Sequence, residues 1–139
     1  MGKRRKSREV ALQTLYLVDV AHLSFQQAFR FVEEEMNGLD KESVDFAKQL
    51  TEGTLNQLEE IDKHIKTHAQ NWDLPRMAAV DRNLLRLSAY ELLEEKDTPI
   101  KVIIDEALEI AKKYSSEDSS KFINGILDKI KDYRDKDYK

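Results

Sequence analysis

Five basic side chains lie close together at the start of the chain, in a segment that contains no acidic residue. They are Lys3, Arg4, Arg5, Lys6 and Arg8. Guanidinium and ammonium groups pair with phosphates, so a run of this kind is typical of proteins that bind nucleic acid. A solubilising basic terminus without a ligand explains the run equally well when it is taken alone.

The residues after this run add groups that could contact a base. On a helix with 100° per residue, one stripe about 80° wide holds four side chains, Arg5, Arg8, Leu12 and Tyr16. Gln13 lies beside the stripe and its amide could hydrogen-bond a base edge, while an exposed Tyr ring is a stacking platform for an unpaired base. The alternative is that Leu12 and Tyr16 lie at the edge of the core, so these residues alone leave RNA, DNA and no ligand open.

A second polar segment, 115–121, reads Ser-Ser-Glu-Asp-Ser-Ser-Lys. Its hydroxyls, acids and lysine could hydrogen-bond base amino groups or ribose hydroxyls. Ordinary N-capping of the next helix by Asp118 or Ser119 explains the same residues without a ligand, since acids are favoured near a helix start. On chemistry alone the capping interpretation is preferred.

Metal chemistry has little support. His64 and His68 are four residues apart, a spacing that chelates zinc on a helix. No Glu follows in an HExxH arrangement and the chain has no cysteine, so we expect two exposed polar histidines and no metal.

Catalysis has no more support than metal binding. Runs of carboxylates such as Glu33 to Glu35 are typical of solvated helix faces. Glu91 and Glu106 stand among apolar residues, and we expect them to be buried beside a basic partner, Arg82, Arg86 or Lys101. The chain has no glycine-rich phosphate loop and no nucleophile with a recognisable base. The sequence therefore predicts no enzyme activity and no cofactor.

The charge of the chain is unevenly distributed. The net charge of the 139 residues is −4, but residues 9–139 carry 18 basic against 27 acidic side chains and sum to −9. A basic arm therefore precedes an acidic body. The arm is no secretory signal, because Gln13, Thr14 and Asp19 interrupt the apolar residues that follow it. Nothing approaches a transmembrane span, so we expect no membrane partner. The absence of cysteine fits a cytoplasmic protein, which is the expected localisation.

An all-α fold follows from the scarcity of turn residues. Four Gly and two Pro are too few for hairpins, so we expect six to seven helices in two packed helical subdomains. Ser7 is expected to cap a helix that runs to about Ala21. Ser24 with Gln27 forms a capping-box pattern for the second helix, which Asn37-Gly38 ends.

The middle of the chain allows two divisions into helices. Asp40 is expected to cap a segment that forms one helix or two within 40–70, with Gly53 as the weak point. Trp72 and Pro75 mark the expected junction between the two halves, and Pro75 suits the first turn of a short helix.

The second half is expected to hold one buried and two amphipathic helices. Apolar residues almost encircle the axis from Val80 to Leu93, which predicts a central buried helix. Two further helices are expected near 100–114 and 119–133, followed by a frayed charged tail. We therefore expect a single domain, 1–139, with halves at about 1–72 and 73–133 and a tail at 134–139.

Several of these stretches, taken in order, resemble the NusB family of bacterial transcription antitermination factors. The first resembles the family's N-terminal signature and reads Arg4-Arg5-Lys6-Ser7-Arg8-Glu9-Val10-Ala11-Leu12-Gln13-Thr14-Leu15-Tyr16. The central block runs from Asn71-Trp72 through Arg76-Met77 to Val80-Asp81-Arg82-Asn83-Leu84-Leu85-Arg86-Leu87 and Tyr90-Glu91-Leu92. The C-terminal signature is matched by Pro99, Val102-Ile103-Ile104-Asp105-Glu106-Ala107, Ala111-Lys112 and Lys121-Phe122-Ile123-Asn124-Gly125-Ile126-Leu127-Asp128. The resemblance extends from Arg4 to about Ile130.

The resemblance implies an all-α protein of two subdomains that acts by binding. It implies pairing with NusE, a small-subunit ribosomal protein with a second role in transcription. The pair is expected to bind the single-stranded boxA element of ribosomal RNA operon leaders, within the RNA polymerase antitermination complex. The basic arm and the family's RNA contacts give two groups of RNA-binding residues in this sequence. The first is Lys3, Arg4, Arg5, Arg8, Gln13 and Tyr16, and the second is Asp118, Lys121 and Phe122.

The resemblance also bears on segment 115–121, on the partner surface and on self-association. It reverses the preference for simple capping in 115–121, although Phe122 suits core packing equally well because of its spacing to Ile126. The NusE surface is expected on the exposed faces of 81–94 and 100–114. Some members of the family self-associate, so a homodimer of the free protein stays open.

The sequence departs from the family's pattern at two positions. Ser7 stands where alanine is commoner, and Ser115 stands where Gly often ends the helix, so the chain after Tyr114 could follow a different path.

Two other functions are alternatives to this one. The chain could be the RNA-binding module of a ribosomal RNA methyltransferase, or a purely protein-binding helical module with a disordered arm.

Overall fold

The structure, a computed structural model, describes residues 2–69 and 73–137, with side chains as far as Arg134. This part of the chain holds seven α-helices and a short 3-10 helix and contains no strand, which confirms the all-α prediction. The chain divides into two compact units, Met1–Asn56 and Gln57–Lys139.

The first unit is built from three helices, α1 (Lys3–Val20), α2 (Phe25–Glu35) and α3 (Lys41–Asn56). α1 packs against both α2 and α3. Apolar residues at helical spacing turn one face of each helix toward a shared core. That core is formed by Val10, Phe29, Val32 and Ala47, with Leu17, Phe25, Met36, Leu39 and Val44 packed around it.

The first helix begins earlier than the sequence predicted. α1 starts at Lys3, so the prediction that Ser7 caps it was wrong. Nothing in residues 3–6 breaks a helix, and the N–H of Lys6 already bonds the carbonyl of Gly2 at 3.4 Å. Ser7 lies buried in the second turn, where its hydroxyl donates to the carbonyl oxygen of Ser43 at 2.8 Å and so joins α1 to α3.

The other two predicted caps of this unit are confirmed. Ser24 and Gln27 form a reciprocal capping box at the start of α2, with both hydrogen bonds 3.1 Å long. The backbone N–H of Ser43 donates to Asp40 Oδ1 at 2.8 Å, so Asp40 caps α3. Between α2 and α3 the chain turns at Gly38, whose φ of +86° lies in the region that favours glycine.

The second unit begins at Gln57, where α3 ends and α4 (Leu58–His68) starts. The segment after Asp40 therefore forms two helices, but the break is at Gln57 and Gly53 lies inside α3. α4 packs on later helices, which is why the division precedes the Trp72–Pro75 junction expected from the sequence. Trp72 lies outside the described residues, and Pro75 occupies the first turn of the 3-10 helix Leu74–Arg76, as predicted.

The remaining helices of the second unit are α5 (Ala79–Glu94), α6 (Ile100–Tyr114) and α7 (Glu117–Asp137). α5 contacts α4, α6 and α7 and buries eleven of its sixteen residues, so it is the central helix predicted from its apolar pattern. The unit is a bundle arranged around α5.

The end of α7 differs from the frayed tail that was expected after Tyr133. The helix continues to Asp137, and Arg134 is only 4% exposed. Its guanidinium donates to backbone carbonyl oxygens at and beyond the end of α5, namely those of Glu91, Leu92, Glu95 and Thr98. The last carbonyls of a helix lack intrahelical donors, and the guanidinium of Arg134 supplies hydrogen bonds at this end of α5.

Candidate RNA interface

The basic residues at the start of α1 differ widely in exposure. Lys3, Arg4 and Lys6 are exposed, Arg5 is half-buried, and Arg8 is buried with 3% of its surface accessible. A helix turns successive side chains through 100°, so a run of five cations cannot all face solvent once α1 packs. The structure places four of the five where a ligand could reach them, and it excludes Arg8 from that set.

Lys3 is engaged with the cap of α3. Its ammonium lies 2.7 Å from Asp40 Oδ2 and 3.9 Å from Glu42 Oε1. The hydrogen bond from Lys3, followed by that from the backbone N–H of Ser43, lowers the pKa of Asp40 to about 2. The same hydrogen bond to Asp40 raises the pKa of Lys3. A phosphate would compete with two carboxylates for this ammonium.

Arg4 and Arg8 both approach the ring of Phe46 on α3. The guanidinium carbon of Arg4 lies 4.0 Å from the ring centroid, and that of Arg8 lies 5.8 Å from it. These are cation–π distances, so Phe46 restrains an exposed Arg4 without covering it. Arg4 is therefore a cation held in position at the surface of the first unit.

The stripe predicted along α1 is only partly accessible. Tyr16 is 37% exposed, whereas Leu12 is buried in the core together with Arg8. The amide of Gln13 donates to Met36 Sδ at 3.6 Å, so Gln13 is engaged with the end of α2. Tyr16 is the member of the stripe that keeps a ring available for stacking.

The second group of predicted residues lies in a helix and not in a loop. α7 begins at Glu117, and the hydroxyl of Ser116 accepts from the backbone N–H of Ser119 at 3.0 Å. Ser116 is therefore the capping residue, and the expectation that Asp118 or Ser119 caps this helix was wrong. Ser115 has a φ of −133°, so its replacement of a glycine needs no left-handed backbone.

The predicted residues of this group occupy the first two turns of α7. Asp118 and Lys121 are exposed, and Phe122 is half-buried. Phe122 lines a cavity of about 230 Å³ together with Met77, Ala78, Asp81, Asp118 and Ser119. Phe122 was interpreted either as an RNA contact or as a core residue. Its half-buried side chain is compatible with both interpretations.

Asp81 is a member of this cavity that the sequence did not single out. It lies in the first turn of α5 and is 8% exposed. The hydroxyl of Ser119 donates to Asp81 Oδ2 at 2.8 Å, which ties the start of α7 to the start of α5. An acid in the first turn of a helix is ordinarily explained by the helix dipole, so spacing alone carried no signal for Asp81.

The two histidines on α4 are packed and are not the exposed pair that was expected. His64 forms an edge-to-face contact with Tyr133, with 4.6 Å between ring centroids. His68 Nε2 lies 3.3 Å from the Tyr133 hydroxyl, and burial is the main cause that lowers the pKa of His68. Among the described residues, no group of three His, Asp or Glu side chains could hold a metal ion.

The basic residues that were expected to neutralise buried acids contact other groups. Arg86 forms a two-bond ion pair with Asp62 on α4, and Lys101 pairs with Asp105 one turn along α6. Arg82 donates to backbone carbonyls at the 3-10 helix, including that of Leu74 at 3.2 Å. Glu91 is buried, as predicted.

No helix within 2–69 and 73–137 is long and apolar enough to cross a membrane.

Comparison with known proteins gives a consistent result. The model of the NusB family matches residues 5–132. The transcription antitermination protein NusB of Elusimicrobium minutum is 45% identical over 135 residues, which cover 96% of each chain. A solved structure of T. maritima NusB superposes with a TM-score of 0.85 at 41% identity, over 93% of this chain and 90% of that one.

A further solved structure holds a relative with partners bound. It is a crystal structure of the antitermination factors NusB and NusE in complex with double-stranded RNA. Its matching chain has a TM-score of 0.87 and 31% identity, over 94% of this chain and 97% of that one. The family model and the relatives both span nearly the whole sequence. This chain belongs to the NusB family.

Proposed function

We propose that this chain is a non-enzymatic transcription antitermination factor that binds the boxA RNA of ribosomal RNA operon leaders together with NusE. The observation that carries the proposal is the similarity of fold, over nearly the whole chain, to a NusB solved with NusE and RNA. The curated relatives supply the process, transcription antitermination. The protein acts in the cytoplasm as part of the RNA polymerase antitermination complex.

The proposed RNA contacts on the first unit are the accessible groups of α1. Arg4 and Lys6 are exposed and Arg5 is half-buried, so these three neutralise phosphates, while Lys3 does so only in competition with Asp40. Tyr16 stacks on an unpaired base. The burial of Arg8 favours a role in anchoring α1 rather than in contacting RNA.

The proposed contacts on the second unit lie at the start of α7. Lys121 is exposed and neutralises a phosphate, and Asp118 accepts a hydrogen bond from a ribose hydroxyl or a base amino group. Single-stranded RNA suits both units, because its bases are free to stack and to present their edges.

The proposed NusE surface is the outer face of α6. α5 has little exposed surface to offer, since eleven of its sixteen residues are buried. On α6, by contrast, Val102 is one of the large exposed apolar side chains of the described residues, and the Lys101–Asp105 ion pair lies beside it in sequence. An exposed apolar residue with charged neighbours is a common composition for a protein interface.

Titration of a labelled boxA RNA with and without NusE tests the proposal. The proposed RNA contacts on α1 and α7 include few exposed cations, so their electrostatic attraction for RNA is modest. We therefore expect weak RNA binding by this chain alone and much tighter binding when NusE is present. A scrambled RNA of the same length and composition is the control and should bind weakly in both cases. Equal affinity with and without NusE contradicts the cooperative part, and equal affinity for the scrambled RNA contradicts boxA recognition.

Val102→Lys tests the assignment of the NusE surface. The variant should lose affinity for NusE because an ammonium replaces an exposed apolar contact. Phe31→Lys, at an exposed aromatic residue on α2, is the matched control and should leave that affinity unchanged. Equal effects of the two changes contradict the assignment to α6.

A further inference from the structure

We infer that α3 and its cap control how strongly the basic start of α1 holds RNA, by presenting one cation to phosphate and withholding its neighbour. Phe46 positions Arg4 for a phosphate, whereas Asp40 and Glu42 compete with phosphate for Lys3. The inference rests on the proposed RNA-binding function and deepens it. It gives a role in that function to three residues that are not among the proposed RNA contacts.

Charge, and not burial, keeps Lys3 from a phosphate. Its side chain is 67% exposed, so RNA can reach it, but its ammonium lies 2.7 Å from Asp40 Oδ2 and 3.9 Å from Glu42 Oε1. A phosphate that binds Lys3 has to displace carboxylates that already neutralise the cation. It therefore gains less than it would from an ammonium that is surrounded by mobile salt ions alone. These two acids act as an intramolecular competitor of RNA.

The carboxylate of Asp40 is fixed in this competing position because it also caps α3. Its Oδ1 atom accepts from the backbone N–H of Ser43 at 2.8 Å, while its Oδ2 atom accepts from Lys3. The hydrogen bond from Lys3, followed by that from Ser43, lowers the pKa of Asp40 to about 2, so the carboxylate is charged throughout the neutral range. The competitor therefore stays in place until a substitution removes its charge.

Arg4 has a different environment, although it is the next residue along α1. Its guanidinium carbon lies 4.0 Å from the ring centroid of the half-buried Phe46. The ring attracts the cation but carries no net charge that would repel a phosphate. An arginine loses rotamer freedom when it binds a ligand, and a side chain that is already restrained loses less. Phe46 therefore favours the phosphate contact of Arg4 by holding the guanidinium in advance.

Both effects act on phosphate contacts, which carry no sequence information. We therefore expect changes in Asp40 or Phe46 to alter the affinity for boxA and for a scrambled RNA by the same factor. The residues of α3 set the overall strength of RNA binding and leave the choice of sequence to contacts with the bases.

The test of the acidic cap removes its charge and keeps its hydrogen bond to α3. Asp40→Asn retains an oxygen that can accept from the Ser43 N–H, but its amide does not neutralise Lys3. With NusE present, we expect this variant to bind boxA and scrambled RNA about threefold more tightly than wild type. The slope of log affinity on log salt should steepen by about 0.7, because one more cation is available to phosphate. Both changes should vanish when Lys3→Gln is added.

Asp45→Asn is the matched control for the loss of one negative charge. Asp45 is an exposed acid of the same helix, and it pairs with Lys41 of α3 at 3.1 Å. This variant should leave the salt slope unchanged. An equal steepening of the slope in Asp45→Asn and Asp40→Asn would mean that only the net charge matters, and it would overturn the inference.

The test of Phe46 separates its ring from its apolar volume. Phe46→Leu removes the ring and should lower RNA affinity about threefold, whereas Phe46→Tyr keeps a ring and should retain the wild-type affinity. When Arg4→Gln is present, Phe46→Leu should have no further effect. A loss of affinity through poorer folding would instead persist in that background, and the melting temperature of each variant measures folding separately.

The inference is overturned if Asp40→Asn does not strengthen RNA binding, or if its effect persists without Lys3. It is also overturned if the effect of Phe46→Leu does not depend on Arg4. Failure of the wild type to bind boxA RNA removes the proposed function, whereas normal boxA binding without these couplings removes this inference alone.

Discussion

The guanidinium of Arg134 on α7 donates through Nε to the backbone carbonyl oxygen of Leu92 on α5, at 2.6 Å. The other nitrogens of the same group reach the carbonyls of Glu91 and Glu95 at 2.9 Å and that of Thr98 at 2.7 Å. One buried side chain thus closes the C-terminal end of the central helix of its unit. The cation is also placed at the negative end of the α5 dipole.

Loss of this guanidinium should destabilise the protein strongly. We expect Arg134→Ala to lower the free energy of unfolding by about 3 kcal/mol, because four hydrogen bonds from a buried guanidinium to backbone carbonyls are lost. Urea unfolding followed by far-UV circular dichroism measures the change. Lys129→Ala, at an exposed position on the same helix, should stay within about 0.5 kcal/mol of wild type. A similar loss in both variants would contradict the role assigned to the hydrogen bonds of Arg134.

The exposure of the basic residues of α1 predicts different roles for neighbours in the sequence. For RNA binding measured over a range of salt concentrations, Arg4→Gln and Lys6→Gln should each reduce the slope of log affinity on log salt by about 0.7. Arg8→Gln should leave the slope unchanged and lower the melting temperature, because Arg8 is buried near Phe46. A reduced slope for Arg8→Gln with unchanged melting would place Arg8 in the RNA interface after all.

The ion pair between Asp62 and Arg86 should be worth more than the ion pairs at the surface. Its two hydrogen bonds measure 2.9 and 3.0 Å, and the side chains are 22% and 12% exposed. We expect a double-mutant cycle with alanine at both positions to give a coupling free energy of about 2 kcal/mol. The exposed Lys101–Asp105 pair is the control and should give about 0.3–0.5 kcal/mol. Equal coupling energies would contradict the role assigned to burial.

The contact between Lys3 and Asp40 predicts a dependence on pH. The pKa of Asp40 is about 2 in the folded protein against an ordinary 3.8. A carboxyl group with a lowered pKa stabilises the fold above its unfolded pKa, and this contribution disappears as the pH falls from about 4 to about 2. Lys3→Met should raise the pKa of Asp40, since Lys3 is the largest cause of its shift, and should reduce the stability lost in that window.

NMR titration of the Asp40 carboxyl carbon in wild type and Lys3→Met checks this directly. An unchanged pKa in the variant would assign the shift to the backbone N–H of Ser43 instead. Asp40→Asn completes the comparison, because it removes the titrating group while its side-chain oxygen can still accept from that N–H.

Local signals in the sequence predicted local structure well. The caps at Ser24 and Asp40 were found because a capping side chain and its backbone partner lie three residues apart. Ser7 was misjudged because the same residue type serves inside a helix when a carbonyl from elsewhere accepts its hydroxyl, here that of Ser43. No spacing rule contains that information.

The candidate interface was predictable in composition but not in exposure. The sequence identified the cations of α1, yet the burial of Arg8 depends on how α1 packs in the folded chain. Asp81 was missed for the same reason, since its contact with Ser119 joins residues 38 positions apart in the chain. The family resemblance identified the start of α7, but it described as a loop what is the first turn of a helix.

The hydrogen bond from Ser7 to Ser43 has a consequence for the order in which the protein is made. Translation delivers α1 first, but the residues that cover its inner face and accept its hydroxyl belong to α3. In proteins most of the stability of a helix comes from the tertiary packing of its apolar face. The basic surface of α1 therefore acquires a fixed shape only after the ribosome has passed α3, so a nascent chain cannot present Arg4 on Phe46 before then.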